Sequence, residues 1–229
     1  MSQIQKKTDA QPIAALTQYM KELSSTGEFS DLTIKCGDQE LRVHKTYVCP
    51  HSSWFRAALA GKFKEESHDH NILTLDHDEP EVIKARIHYC YHLTYNNGSR
   101  GEEAAATFAV KVYAAADKYN MLPLCKMAAS NFSKVLDPNQ DLDGFIAAIE
   151  AVDEMTGDDA LWDLVMPKVA ENAEWLSDVE EFSSLVRESP TLRKKLIKCA
   201  GKGGPSSPQI SNDGGYAGGY GSGGRTLGS

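Results

Sequence analysis

The spacing of apolar residues along the chain changes several times, and each change marks an element. From Pro12, the residues Ile13, Leu16, Met20 and Leu23 recur at helical spacing. Pro12 is placed for a first turn, and "SSTGE" ends the helix. "DLTIKC" then alternates, so that Leu32, Ile34 and Cys36 share one face, as in a half-buried strand. Gly37-Asp38 predicts a two-residue hairpin turn, with glycine where a positive φ is needed. "QELRVH" returns with Leu41 and Val43 inward. Residues 45–61 hold short apolar clusters broken by Pro50 and Ser52-Ser53, which predicts two short helices joined by a kink. "NILTL" at 71–75 reads as a third strand.

A helix follows Pro80, with Ile83, Ile87 and Cys90 aligned and Asp78 or Glu79 near its positive end. Residues 94–101 form a loop and 102–119 an Ala-rich helix. Cys125, Ala128, Ala129, Phe132, Val135 and Leu136 give another amphipathic helix. Asp137-Pro138 interrupts the pattern, because the residue before proline avoids the helical region. We place the domain boundary there. Beyond it, Leu142, Phe145, Ile146, Ile149 and Val152 resume the helical stripe. "DDALWDLVMPKVAENAEWL" predicts a helix that Pro167 stops or kinks, and short helices follow at 178–187 and 190–200. Residues 1–11 are polar and expected to be disordered. So are residues 201–229, where 11 of 29 are glycine; such a segment buries too little apolar surface to offset its ordering entropy. The expected architecture is an α+β domain over 12–136, a small three-stranded sheet capped by helices, followed by an all-α extension over 137–200.

Charge sharpens this division. Residues 30–136 carry 13 basic and 13 acidic side chains, whereas residues 137–200 carry 6 and 15. The net charge of −8 therefore belongs to the extension. Such a surface disfavours nucleic acid, whose phosphates need a basic field. The one dense basic cluster, Arg193, Lys194, Lys195 and Lys198, suits the last turns of a helix. No apolar run is long enough for a membrane span, and the polar N-terminus is no secretory signal. Five widely spaced cysteines read as reduced thiols of an intracellular protein, in cytoplasm or nucleus.

The stretch "HKTYVCPHSSWFRAAL" invites a chemical reading through His44, Cys49 and His51, with His68 and His70 downstream. Zinc sites gain specificity from closely spaced pairs on one turn, and these residues lack that spacing. Cys49 lies in an apolar context, where a thiol behaves as a small hydrophobe rather than a nucleophile. "GGYGSGG" follows no strand and so is not a phosphate loop. No catalytic, cofactor-binding or metal-ligating set is assigned, and no cofactor is expected.

Four separated motifs, in order, resemble the BTB/POZ domain family over about residues 12–136. "GEFSDLTIKC" is similar to the family's first conserved strand, with Asp31 at its acid. His44, Lys45, Val48, Ser52, Trp54 and Phe55 match H-K-x-x-L-x-x-x-S-x-[YF]-F. "ILTLDHDEPEVIKARIHYCY" resembles the strand and helix that lead to the family's "YTG" turn. Ala116, Asp117, Lys118, Tyr119 and Leu124 match A-D-K-Y-x-x-x-x-L. Fungal members with a helical extension look similar. Two departures stand out: "YHLTYNN" replaces the usual Y-T-G-x-Y, and no convincing strand precedes the first helix.

The resemblance implies protein–protein interaction rather than catalysis. It implies a homodimer, with Ile13, Leu16, Met20 and Leu23 as the dimer face; alternatively, that stripe covers its own domain. It implies a cullin scaffold as partner, together with a protein substrate, so that the chain would be a substrate adaptor of a cullin-type ubiquitin ligase. The recruiting motif would be Phe63-Lys64-Glu65, or in a shifted register Glu66 would be the acid. Folding of Phe63 onto its own core is the alternative there. Asp31, His44 and Lys45 would line a charged pocket at the dimer groove. The competing functional reading is a scaffold or transcription-associated protein without ligase involvement.

Overall fold

The structure, a computed structural model, describes residues 3–60, 71–95, 104–155 and 159–202, with side chains from 12 to 200. Strand β1 (Leu32–Cys36) is the centre of a three-stranded sheet. It pairs antiparallel with β2 (Gln39–Val43) and parallel with β3 (Ile72–Thr74). The alternation of β1 is realised: Leu32, Ile34 and Cys36 are buried, and Lys35 on the other face pairs across the ladder with Glu40 at 2.7 Å. Gly37 turns the hairpin with φ +54°. Because β3 runs parallel to β1, the chain must cross over between them, and α2 (Lys45–His51) and α3 (Ser53–Leu59) occupy that crossover.

The first helix, α1, spans Gln3–Thr26 and contains Pro12 in its interior. Pro12 therefore lies inside the helix rather than in the first turn expected of it. Residues 3–11 show no apolar stripe, but Gln, Lys and Ala are good helix formers and extend a helix without one. Gly27 ends α1 with φ +62° and donates its N–H to the Leu23 carbonyl at 2.9 Å. A Cβ there would lie 3.2 Å from that of Arg42.

Helices α4 (Pro80–His92), α5 (Ala105–Lys118) and α6 (Leu122–Val135) cover the sheet. The extension adds α7 (Leu142–Glu154), α8 (Trp162–Glu171), α9 (Ala173–Leu176), α10 (Glu180–Glu188) and α11 (Pro190–Lys202). Its start is set by Asp141, whose carboxylate accepts the Gly144 N–H at 2.8 Å. Ser189 caps α11 in the same way, accepting from Leu192 N–H at 2.9 Å. Pro167 does not stop α8, which runs on to Glu171; the buried Val165, Met166 and Val169 outweigh one lost backbone bond. α5 packs against both α6 and α7, and the buried residues of domain and extension form one continuous core.

Within that core, one aromatic residue joins several elements. Tyr119 is 1% exposed and follows α5. Its carbonyl accepts the Ser52 hydroxyl at 2.6 Å, while Ser52 Oγ accepts the Phe55 N–H at 3.1 Å and so caps α3. Its phenol donates to Asp78, which also pairs with Lys118 at 2.9 Å. Trp54 meets the ring edge-on with centroids 4.6 Å apart. From α4, the fully buried Arg86 stacks on the ring, its guanidinium carbon 3.5 Å from the centroid. Among the described residues, none of the three Arg86 nitrogens has a partner in hydrogen-bond geometry. Burial pushes its pKa down, opposed by Tyr119 and Asp78.

Two substitutions should move stability in opposite senses. Ser52→Ala removes a cap and orphans the Tyr119 carbonyl, and should cost on the order of 2 kcal/mol. Arg86→Met keeps the volume and removes an unpaired buried charge, so stability should hold or rise by roughly 1 kcal/mol. Urea titration of both variants measures this; a clear loss in Arg86→Met would show that its stack on Tyr119 outweighs its desolvation.

Candidate interaction surface

The apolar stripe of α1 divides along its length. Leu23 is 7% exposed and belongs to the core, and Met20 is half-buried. Ile13 and Leu16 are 66% and 58% exposed. α1 packs on α4, and its exposure falls along the helix from Ile13 to Leu23. The dimer face expected from four residues thus loses Leu23 to the protein's own interior. Tyr19, three residues after Leu16, is exposed as well; the apolar stripe did not include it because a tyrosine is amphipathic.

Two more exposed apolar side chains escaped sequence reasoning. Phe29 and Leu93 carry positive φ angles of +59° and +53° and stand in solvent. A bulky residue in the left-handed region is rare. Position 29, two residues after Gly27, and the αL cap of α4 at position 93 both lack the glycine that would have announced such a conformation.

Asp31, His44 and Lys45 do come together, by routes other than a simple ion pair. Asp31 Oδ1 accepts the backbone N–H of Lys45 at 2.8 Å, capping α2 from a neighbouring loop. The Lys45 ammonium reaches Asn71 Oδ1 at 2.7 Å. His44 is buried, with Nδ1 2.7 Å from the Tyr91 hydroxyl and Nε2 2.6 Å from the Glu28 carbonyl. Its backbone N–H also donates to Tyr91 at 2.9 Å. The family signature here is therefore a knot that fixes α2 against β1 and α4.

The remaining candidates for chemistry are held in packing roles. His51 lies edge-on to Tyr89, and burial lowers its pKa. Cys36 donates its thiol to the Asp78 carbonyl at 2.9 Å; burial, then Asp78 and Asp76, raise its pKa. Burial and then Asp31 raise the Cys49 thiol, against Lys45 and Arg56. Burial pushes Cys90 up to about 12. Thiols shifted this way carry little thiolate at neutral pH. Among the described residues, no group of three His, Cys, Asp or Glu side chains is placed to hold a metal ion. No helix among them is long and apolar enough to cross a membrane.

Phe63, Glu65 and Glu66, the expected partner-binding motif, lie outside the described residues, as do His68 and His70. The extension presents a groove of about 440 Å³, lined chiefly by Val169, Ala173, Phe182, Val186 and Leu196. Arg187 borders it and pairs with Glu180 at 2.8 Å.

Comparison with known proteins adds to this geometry. The family model described as "BTB/POZ domain" matches residues 20–135. The chain is 25% identical over 196 residues to "BTB/POZ and MATH domain-containing protein 4" of Arabidopsis thaliana, covering 82% of this chain and 40% of that protein. It is 31% identical over 84 residues to "BTB and MATH domain-containing protein 15" of Caenorhabditis elegans, covering 34% of this chain and 30% of that protein. The chain thus spans less than half the length of these relatives. They come from a plant and a nematode, and the fungal likeness expected from the sequence is not supported by them. Among solved structures, the "BTB domain of zebrafish PATZ1" aligns with TM-score 0.44 and 13% identity over 55% of this chain and 94% of that one.

Burial of the thiols is open to a direct check. In native protein near neutral pH, Cys90 should resist alkylation by iodoacetamide, and it should react once the chain is unfolded in urea. Peptide mapping distinguishes the two states; rapid labelling of native Cys90 would contradict its burial.

Proposed function

The chain belongs to the BTB/POZ domain family, a family of protein-interaction modules, and on that premise we propose that it is a homodimeric substrate adaptor of a cullin-type ubiquitin ligase, acting inside the cell. The observation that carries the dimer is the exposed apolar face of α1. Ile13, Leu16 and Tyr19 place three large apolar side chains in water along one helix, and grouped apolar exposure marks interaction sites. A second copy offering the same face would give the self-complementary contact of a two-fold dimer.

Recruitment of a cullin scaffold rests on the segment with Phe63, Glu65 and Glu66. An aromatic side chain filling a partner pocket would supply most of the binding energy, and a flanking acid would set orientation. The groove among α8–α11 is then available for substrate. A scaffold or transcription-associated role without a ligase is the second reading. It needs only an interaction surface, which the exposed Ile13, Leu16 and Tyr19 of α1 supply.

Light scattering on the full chain should give a dimer mass, and Ile13→Asp/Leu16→Asp should give a monomer with unchanged helical content. A wild-type monomer at micromolar concentration removes the dimer. Purified cullin scaffold should be retained by wild type and lost by Phe63→Ala/Glu65→Ala, with Glu66→Ala deciding the register. No retention by wild type removes the adaptor reading and leaves the scaffold.

A further inference from the structure

Two histidines on α4 are brought ring to ring. His88 and His92 stand one turn apart, so their side chains share a face. Their rings stack with centroids 3.9 Å apart and planes 2° apart. His88 Nδ1 lies 2.8 Å from the Thr94 carbonyl oxygen. A carbonyl only accepts, so Nδ1 carries the proton, and in that tautomer of the neutral ring Nε2 is the nitrogen with the lone pair. Such a carbonyl contact is also what orients a metal-bound imidazole from behind. His92 makes no hydrogen bond among the described residues, and both rings are half-exposed. Burial, then neighbouring His88 and Lys21, hold the His92 pKa below its ordinary value.

We propose that His88 and His92 form a two-imidazole chelate for a late first-row divalent cation, of the zinc, nickel or copper class, through His88 Nε2 and a ring nitrogen of His92, with water in the remaining positions. Imidazole is a favoured ligand for these ions. Two nitrogens at the usual bond length on a tetrahedral ion stand about 3.3 Å apart, so each half-exposed ring must turn out of the parallel stack, by about half the tetrahedral angle, to aim its nitrogen at a shared ion. With two protein ligands, the site is weaker than a four-ligand structural zinc site. The Lys21 ammonium opposes the added charge. Because His88 is bonded past Leu93 to Thr94, chelation ties the last turn of α4 to its αL cap. The ion should therefore stabilise that end of the helix.

Titration of zinc chloride or nickel chloride into the full chain near neutral pH, followed by calorimetry, tests this. Wild type should bind one ion per chain and show a higher melting temperature with metal. His88→Ala and His92→Ala should each weaken binding at least about tenfold, each judged against its own metal-free melt because His88→Ala also loses the Thr94 bond. Lys21→Gln should tighten it, and His68→Ala/His70→Ala should bind as wild type. The proposal is overturned by an absence of saturable binding in wild type. It is equally overturned if the two α4 variants bind as wild type, or if the His68→Ala/His70→Ala variant is the one that loses the ion.

Discussion

Tyr119 is the constraint on which the rest of the structure depends. A single residue between α5 and α6 fixes the α2–α3 junction through Ser52, the entrance of α4 through Asp78, and the interior of α4 through Arg86. Each contact is of a different kind: a carbonyl acceptor, a phenol donor and an aromatic face. One side chain satisfies all three because its backbone, its edge and its faces point at different elements. The crossover between β1 and β3 is held in place by this residue as much as by the strands themselves. The Arg86 charge remains the awkward member, buried and stacked but, among the described residues, without a partner in hydrogen-bond geometry. Buried charges of this sort specify arrangement more readily than they add stability.

The fold was largely legible because its signals are local. Alternation in β1, the Gly37 turn and the prolines at 80 and 190 place strands and helix starts by backbone physics alone. What escaped was not local. The length of α1 escaped because an exposed helix needs no stripe, and the burial of Leu23 depends on where α4 lies. The stripe was read as one face, but its two ends have different neighbours, and periodicity cannot show where a packing partner stops.

The site was legible more unevenly. Asp31, His44 and Lys45 were found as a group, yet their bonds were not foreseeable: the acid holds a backbone N–H and the histidine holds a tyrosine. The search for chemistry went to the most histidine-rich stretch of sequence. The pair with helical i, i+4 spacing, His88 and His92, lay inside a helix read for its apolar residues alone. Spacing would have found it, since four residues is one turn.

Gly144 carries a consequence for geometry between partners. A Cβ at this position would fall 2.9 Å from that of Ala104, so the start of α7 sits against the start of α5 with no room between them. Domain and extension share one core across this contact. Their separation is thus set by packing rather than by the reach of a flexible tether. Whatever binds the groove of the extension is presented at a fixed angle to whatever binds α1, and the local concentration of one at the other is a property of shape, not of linker length.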